Sequence, residues 1–245
     1  GGPQPSFYRA ETSGDPQFSE AVKQAGKAVV YKTPSIQQTE ENGAVSQLTL
    51  TAEGTINEFD TPVETKIVID GNGTISVSMT MKVPSEKKIG PVARAGLTLN
   101  LDSSVEQIRY VGKGPEENYV DRNTGSRLGQ WTQKIADFYN DQLLKPQDSG
   151  NRTDVRSLTL LGEKDTLKLT FSEPVGMNIL TWDELSLSQA AHLKDAKALT
   201  QPLLHLDAVQ RGLGNGSWGA EPLKQYQIQQ NQSYTVSFTL EPGSH

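Results

Sequence analysis

Cysteine is absent from all 245 residues, so disulfides, thiol nucleophiles and zinc–thiolate sites are excluded. An oxidising compartment is neither required nor ruled out. Histidine is scarce, at His192, His205 and His245, and no pair has the H-x-H or H-x-x-x-H spacing of a metal site. No window holds eighteen consecutive apolar residues, so no membrane-spanning helix is expected. The start lacks the charged-then-apolar order of a signal peptide, and none is expected. Positive charge is also short. The net charge of −6 argues against nucleic acid or an anionic membrane as the main partner. No alternation of strand and helix patterns marks a (β/α)8 barrel.

What is present is period-two alternation. Residues 45–52, 63–69, 74–83, 155–161, 166–171 and 234–240 alternate apolar with polar side chains, as strands with one buried face do. Asp70-Gly71-Asn72-Gly73 joins two such runs and predicts a hairpin. Helical signals are few. Residues 18–25 fit a short amphipathic turn, and the acids at Asp183 and Glu184 ahead of a short Ala-containing stretch predict one short helix. His192 falls at the end of that helix, where an imidazolium suits the dipole. No linker and no repeat interrupts the chain. The expectation is one large all-β domain over residues 6–241, with 1–2 and 243–245 as cloning remnants.

The densest cluster of polar turn chemistry is Gly112-Lys113-Gly114-Pro115-Glu116-Glu117-Asn118-Tyr119-Val120-Asp121-Arg122. It leaves the apolar run Ile108–Val111 through two glycines and a proline. It reads either as a binding loop or as an ion-paired corner pinning two sheets. Glu116 and Glu117 point to opposite sides of an extended segment. Asp121 and Glu116 lie close to Arg122, which holds a carboxylate ionised. No pair suits a glycosidase acid and nucleophile, so no catalytic residue is assigned. Arg122, Asp121, Arg152, Asp154 and Arg156 are expected to tie loops together through Arg–carboxylate pairs. Trp131 and Trp182 follow strand or turn segments and read as packing. Trp218, flanked by glycines, reads either as a sugar-stacking face or as an aromatic folded onto an edge.

Taken together, these motifs resemble the C-terminal small-chain β-sandwich domain of family-2 β-galactosidases. Gly112–Arg122 is similar to its G-x-G-P-x-E-N-Y-x-D-R signature, and Pro146-Gln147-Asp148-Ser149-Gly150-Asn151-Arg152-Thr153-Asp154-Val155-Arg156 to its second. Leu187–His192, Leu206-Asp207 with Gln210, the stretch Gly212–Gly219 and the opening Phe7–Thr12 follow in the same order. There are departures. Tyr8 stands where Trp is usual, Glu11 where Pro is usual, Ser13-Gly14-Asp15 replaces an acidic run, and Asn215-Gly216-Ser217-Trp218 replaces D-D-S-W.

The resemblance implies a galactose mutarotase-like antiparallel super-sandwich. It implies that Trp218, with Asn215 and Ser217 beside it, contacts substrate, while Glu116, Asn118, Asp121, Arg122, Arg152, Asp154 and Arg156 are structural loop residues. The partner is a β-galactoside or galactose, held together with the catalytic (β/α)8 barrel of a parent enzyme. No metal and no cofactor is implied. The resemblance leaves the compartment open, bacterial cytoplasm or cell surface, depending on the parent enzyme. Two other readings stay open: a free-standing sugar-binding or mutarotase-like epimerase module, and a scaffold with no sugar contact. A histidine and a carboxylate facing one concave pocket distinguish the epimerase.

Overall fold

A computed structural model describes residues 2–27, 29–162, 165–214 and 221–242. The strands in chain order are β1 (Gln4–Ser6), β2 (Val29–Tyr31), β3 (Ser35–Glu41), β4 (Ala44–Ile56), β5 (Thr61–Asp70), β6 (Ile75–Val83) and β7 (Arg94–Asn100). They continue as β8 (Gln107–Gly114), β9 (Arg127–Lys134), β10 (Arg152–Leu161), β11 (Thr166–Trp182), β12 (Ala198–Gln210) and β13 (Gln232–Pro242). All thirteen join one antiparallel sheet, whose main path runs β1-β7-β12-β11-β13-β6-β5-β4-β2. The sheet curls, bringing β7 near β6 and β13, and one large apolar core fills the curl.

Alternation accounts for the strands. On β6, Val77, Met79, Met81 and Val83 are buried while the residues between them stay partly exposed. Across the ladder, Met79 faces Thr65 and Met81 faces Val63. Full burial of such a side chain stabilises by about 1.5–3 kcal/mol before chain entropy is counted. Phe7 and Phe59 meet edge to face with centroids 4.6 Å apart. The hairpin expected at residues 70–73 forms: Asp70 Oδ1 accepts the amides of Asn72 and Thr74, each at 2.9 Å.

β11 changes partners along its length. Its first half pairs with β13 through residues 167–171, and its second half with β12 through 176–182. β10 takes the other edge. Pro174 lies in the changeover, where its missing N–H removes no bond to either partner.

Among the described residues three short α-helices form: α1 (Glu20–Gln24), inside the amphipathic turn read at residues 18–25, α2 (Glu86–Ile89) and α3 (Glu184–Gln189). Each buries a single apolar residue, Val22, Ile89 or Leu187. One buried residue in one turn leaves no 3.6-residue period to read. α3 is the helix expected from sequence, with Asp183 Oδ1 accepting from Ser186 N at 2.9 Å as its N-cap. It ends at Gln189, so His192 is not at its terminus. That residue is exposed and precedes a 3-10 turn at Leu193–Asp195.

Candidate functional site

The two long sequence signatures meet at the end of the sheet where β8 leaves and β10 begins. Asn118 is their hub. Its backbone N–H donates to Asn151 O at 2.8 Å, and Asn151 Nδ2 donates back to Asn118 O at 2.8 Å. Asn118 Nδ2 donates to Lys113 O and Glu116 O, while its Oδ1 accepts from Thr153 N at 2.9 Å. Every polar atom of this buried amide is therefore used, as burial requires. Glu117 accepts from Gly150 N at 2.8 Å, and the Glu116 side chain is exposed.

Arg152 is buried, stacks 4.7 Å from the Phe138 ring, and donates to Tyr110 Oη, Gln133 Oε1 and Gly150 O. Asp154 pairs with Lys113 at 3.3 Å. Arg156 is exposed, with no ion pair or hydrogen bond among the described residues. The Arg–carboxylate pairs expected among Asp121, Arg122, Arg152, Asp154 and Arg156 do not form there. Loops expose many backbone amides and carbonyls, and Asp121, Arg122 and Arg152 are spent on satisfying them instead.

Asp121 and Arg122 reach the last motif. Asp121 accepts from Leu213 N at 3.0 Å and Gly214 N at 2.8 Å, and Arg122 donates to Gly214 O at 2.5 Å. Gly212 allows this approach, since a Cβ there would lie 2.7 Å from the Asp121 carboxyl carbon. From the other side, buried Arg9 donates to Arg211 O at 2.8 Å and Gly212 O at 3.3 Å. Arg211 in turn pairs with Glu221. Both feet of the stretch 215–220 are thus fixed by charged hydrogen bonds. Asn215, Ser217 and Trp218, the residues expected to contact substrate, lie outside the described residues.

The sequence departures compensate one another. Tyr8 donates to Glu11 at 2.6 Å, joining two of the unusual positions, and Glu11 also pairs with Lys23 at 3.0 Å. Burial, with Glu11 alongside, pushes the Tyr8 phenol up. Asp15 chelates Arg9 through two bonds of 2.7 and 3.0 Å. Burial alone would raise Asp15, but Arg9 overrides it and holds the carboxyl below its usual value.

The opening segment and the other three motifs enclose a cleft of about 140 Å3, walled by Thr12, Glu117, Tyr119, Arg122, Asp148 and Leu213. That is below the ~300 Å3 at which ligand pockets begin. Leu213 leads into residues 215–220, so the cleft sits at their foot. Its floor is Asp148, whose Oδ2 accepts from Tyr119 Oη at 3.0 Å and whose Oδ1 accepts from Arg94 and Asn178. Burial raises Asp148, while Arg94 and Arg9 pull the other way.

Sequence reasoning missed the polar layer behind this floor. Arg94, His205 and Asp207 are wholly buried, and Glu184 of α3 completes the group. Burial, seconded by Arg94, drives His205 well below its ordinary value. Burial pushes Glu184 up to about 8 and Asp207 up to about 6, against the pull of Arg94. The signal was His205 and Asp207 alternating with Leu204, Leu206 and Ala208 in the apolar half of β12. No cluster of metal ligands occurs among the described residues. Trp131 packs on the main core and donates to Gly112 O, while Trp182 packs on a satellite cluster around Ala10 and Leu187.

Comparison with known proteins gives one consistent answer. A family model described as "Beta galactosidase small chain" matches residues 1–240. A β-galactosidase of Halalkalibacterium halodurans is 28% identical over 247 residues, covering 97% of this chain and 24% of that protein. One of Lactococcus lactis is 30% identical over 215 residues, covering 86% and 20%. The chain thus spans about a quarter or less of the curated relatives it matches. Among solved structures, a GH36 α-galactosidase of Geobacillus stearothermophilus aligns over 99% of this chain and 30% of its own, with TM-score 0.43 and 10% identity. A galactose mutarotase related enzyme of Lactobacillus acidophilus covers 86% and 71%, with TM-score 0.34 and 9% identity. Both scores are below 0.5, so the architecture rests on this chain's own strands.

Proposed function

The chain belongs to the beta galactosidase small chain family, and from that membership we propose that it completes the sugar site of a retaining β-galactosidase. It does so by presenting the 215–220 stretch, with Trp218, Asn215 and Ser217, to a catalytic (β/α)8 barrel elsewhere in the parent. The observation that carries this reading is the clamp on Arg211–Gly214 by Arg9, Asp121 and Arg122, closed by Arg211–Glu221. These bonds fix the described residues on which the stretch begins. A sugar's C–H face on an indole is an apolar contact with a polar rim. The barrel supplies the two carboxylates of retaining hydrolysis, and residues 6–241 act as one cooperative unit beside it.

The mutarotase-like alternative needs a histidine and a carboxylate in one open pocket. His205 and Glu184 do approach, at 3.7 Å, but His205 is fully enclosed. None of the clefts described is lined by both.

In the full-length parent, Trp218→Ala is expected to weaken substrate affinity about ten-fold, equivalent to about 1.4 kcal/mol, with the thermal midpoint little changed. Trp218→Phe should recover part of the loss. The isolated chain should leave a chromogenic β-galactoside unhydrolysed. Unchanged kinetics in Trp218→Ala with a large fall in stability would make Trp218 a packing residue and end this reading.

A further inference from the structure

The outer face of β7 and β12 is buried beneath α3, yet it is lined by charge rather than by apolar side chains. Arg94 Nη1 and Asp207 Oδ2 stand 3.6 Å apart, Arg94 Nη2 and Glu184 Oε1 3.8 Å, and His205 Nε2 and Glu184 Oε1 3.7 Å. Each gap is just too long for a direct hydrogen bond. Seven buried atoms on these four side chains make no hydrogen bond among the described residues. They are Arg94 Nε and Nη1, Glu184 Oε1, both His205 nitrogens and both Asp207 carboxylate oxygens. Left unsatisfied, seven such groups would cancel the net stability of a domain.

The backbone keeps neighbouring side chains off this layer. Asp207 is flanked in register by Gly96 on β7 and Gly176 on β11, so neither neighbouring strand sends a side chain toward its carboxylate. A Cβ at Gly96 would come within 2.3 Å of Asp207 Oδ1. The layer also has two approaches. Glu184 retains 15% side-chain exposure and lines a cleft of about 280 Å3 with Ser6, Tyr8, Thr98 and Asp183. At the other end Asp148, bonded to Arg94, floors the small cleft beside Leu213.

We propose that this layer is a hydration site, in which ordered water molecules bridge Arg94, Glu184, His205 and Asp207 and connect the α3 cleft to the floor at Asp148. The chemistry selects water. The guanidinium only donates, the Asp207 carboxylate only accepts, and the imidazole does each at a different nitrogen. Arg94 repels a cation and the Asp148–Asp207 pair repels an anion. A neutral molecule that both donates and accepts satisfies all four, and a water lying beside groups that stop short of direct contact can bond to both of them. This inference does not depend on the proposed sugar role.

A crystal structure of the chain at atomic resolution tests it. Water density within hydrogen-bond distance of Asp207 and both His205 nitrogens is expected, with displacement parameters matching those of the surrounding side chains. Direct Arg94–Asp207 and His205–Glu184 bonds with no water between them would overturn it. Oxygen-17 relaxation dispersion in solution provides an independent reading. Long-lived internal water is expected in the wild-type protein, with a measurable loss of dispersion amplitude in His205→Leu. No dispersion from the wild-type protein would refute the proposal even where the variant does not fold.

Discussion

Arg94–Leu97 of β7 and Leu204–Asp207 of β12 are buried on both faces, and the two faces are held by different physics. Ala95, Leu97, Leu204 and Leu206 point into the main core, with no accessible surface. Arg94, His205 and Asp207 point the other way and are equally buried. On the apolar face each group contributes by its own volume and area, and its neighbours tolerate its loss in proportion to the cavity left behind. On the polar face each group is another's compensation, so deletion strands a charge. The same depth of burial thus gives a tolerant surface on one side and an interdependent one on the other.

The sharpest way to break this comparison is Arg94→Met. It leaves Asp148 and Asp207 without their shared cation. A loss of about 3–5 kcal/mol is expected by urea denaturation. Adding Asp148→Asn and Asp207→Asn to that variant should recover much of it. Strict additivity of the three changes would show that the polar face is not a network.

On the apolar face, Leu206→Ala should cost about 3 kcal/mol, from the range seen for buried leucines. It should add to a distant core change such as Met79→Ala. A loss below about 1 kcal/mol would mean the core is looser there than its zero exposure implies.

A smaller effect separates the faces by pH. Glu184 and Asp207 have folded values near 8 and 6, both above the ~4 of an unfolded carboxylate. The folded state therefore holds more protons than the unfolded state across that interval. Their contribution to stability is complete below about pH 4 and falls as pH rises through 6 and then 8. Glu184→Gln should flatten the upper part of that decline, measured as the denaturation midpoint between pH 6 and 9. An unchanged slope would place the titration elsewhere. Leu206→Ala should shift the curve without bending it.

At the foot of the 215–220 stretch, Asp121→Asn keeps one acceptor for the Leu213 and Gly214 amides and loses the other. About 1 kcal/mol of stability is expected to go. Arg156→Ala should stay within about 0.5 kcal/mol, because the side chain is exposed and unpaired among the described residues. A larger change at Arg156 would reveal a partner in the parent.

The sequence made the sheet legible wherever one strand face was wet. β5, β6, β10 and β13 alternate, and the Asp70–Gly73 turn names its own conformation. The alternation in β11 is legible only over residues 166–171, since Ser172-Glu173-Pro174 interrupts the apolar period. The strand runs on to Trp182 by changing partners across that proline. At the site, the motifs announced their meeting but not their bonds. Charge in a loop is spent on backbone groups whose positions no single sequence reveals. The polar layer was hidden for a different reason: a strand buried on both faces loses the alternation that separates inside from outside.

The order of strands also sets a schedule for synthesis. β13 follows the other twelve strands of the sheet in sequence yet lies between β11 and β6, and on the main path it alone joins them. On the ribosome, the strands before it can pair only into two partial sheets, each with an open hydrogen-bonding edge. The closing strand arrives after the other twelve strands of the sheet. Until it does, β6 and β11 offer matched vacant edges to any extended segment nearby, including β13 of a neighbouring nascent chain. Exchange of that single strand between copies is therefore the misassembly this topology most invites.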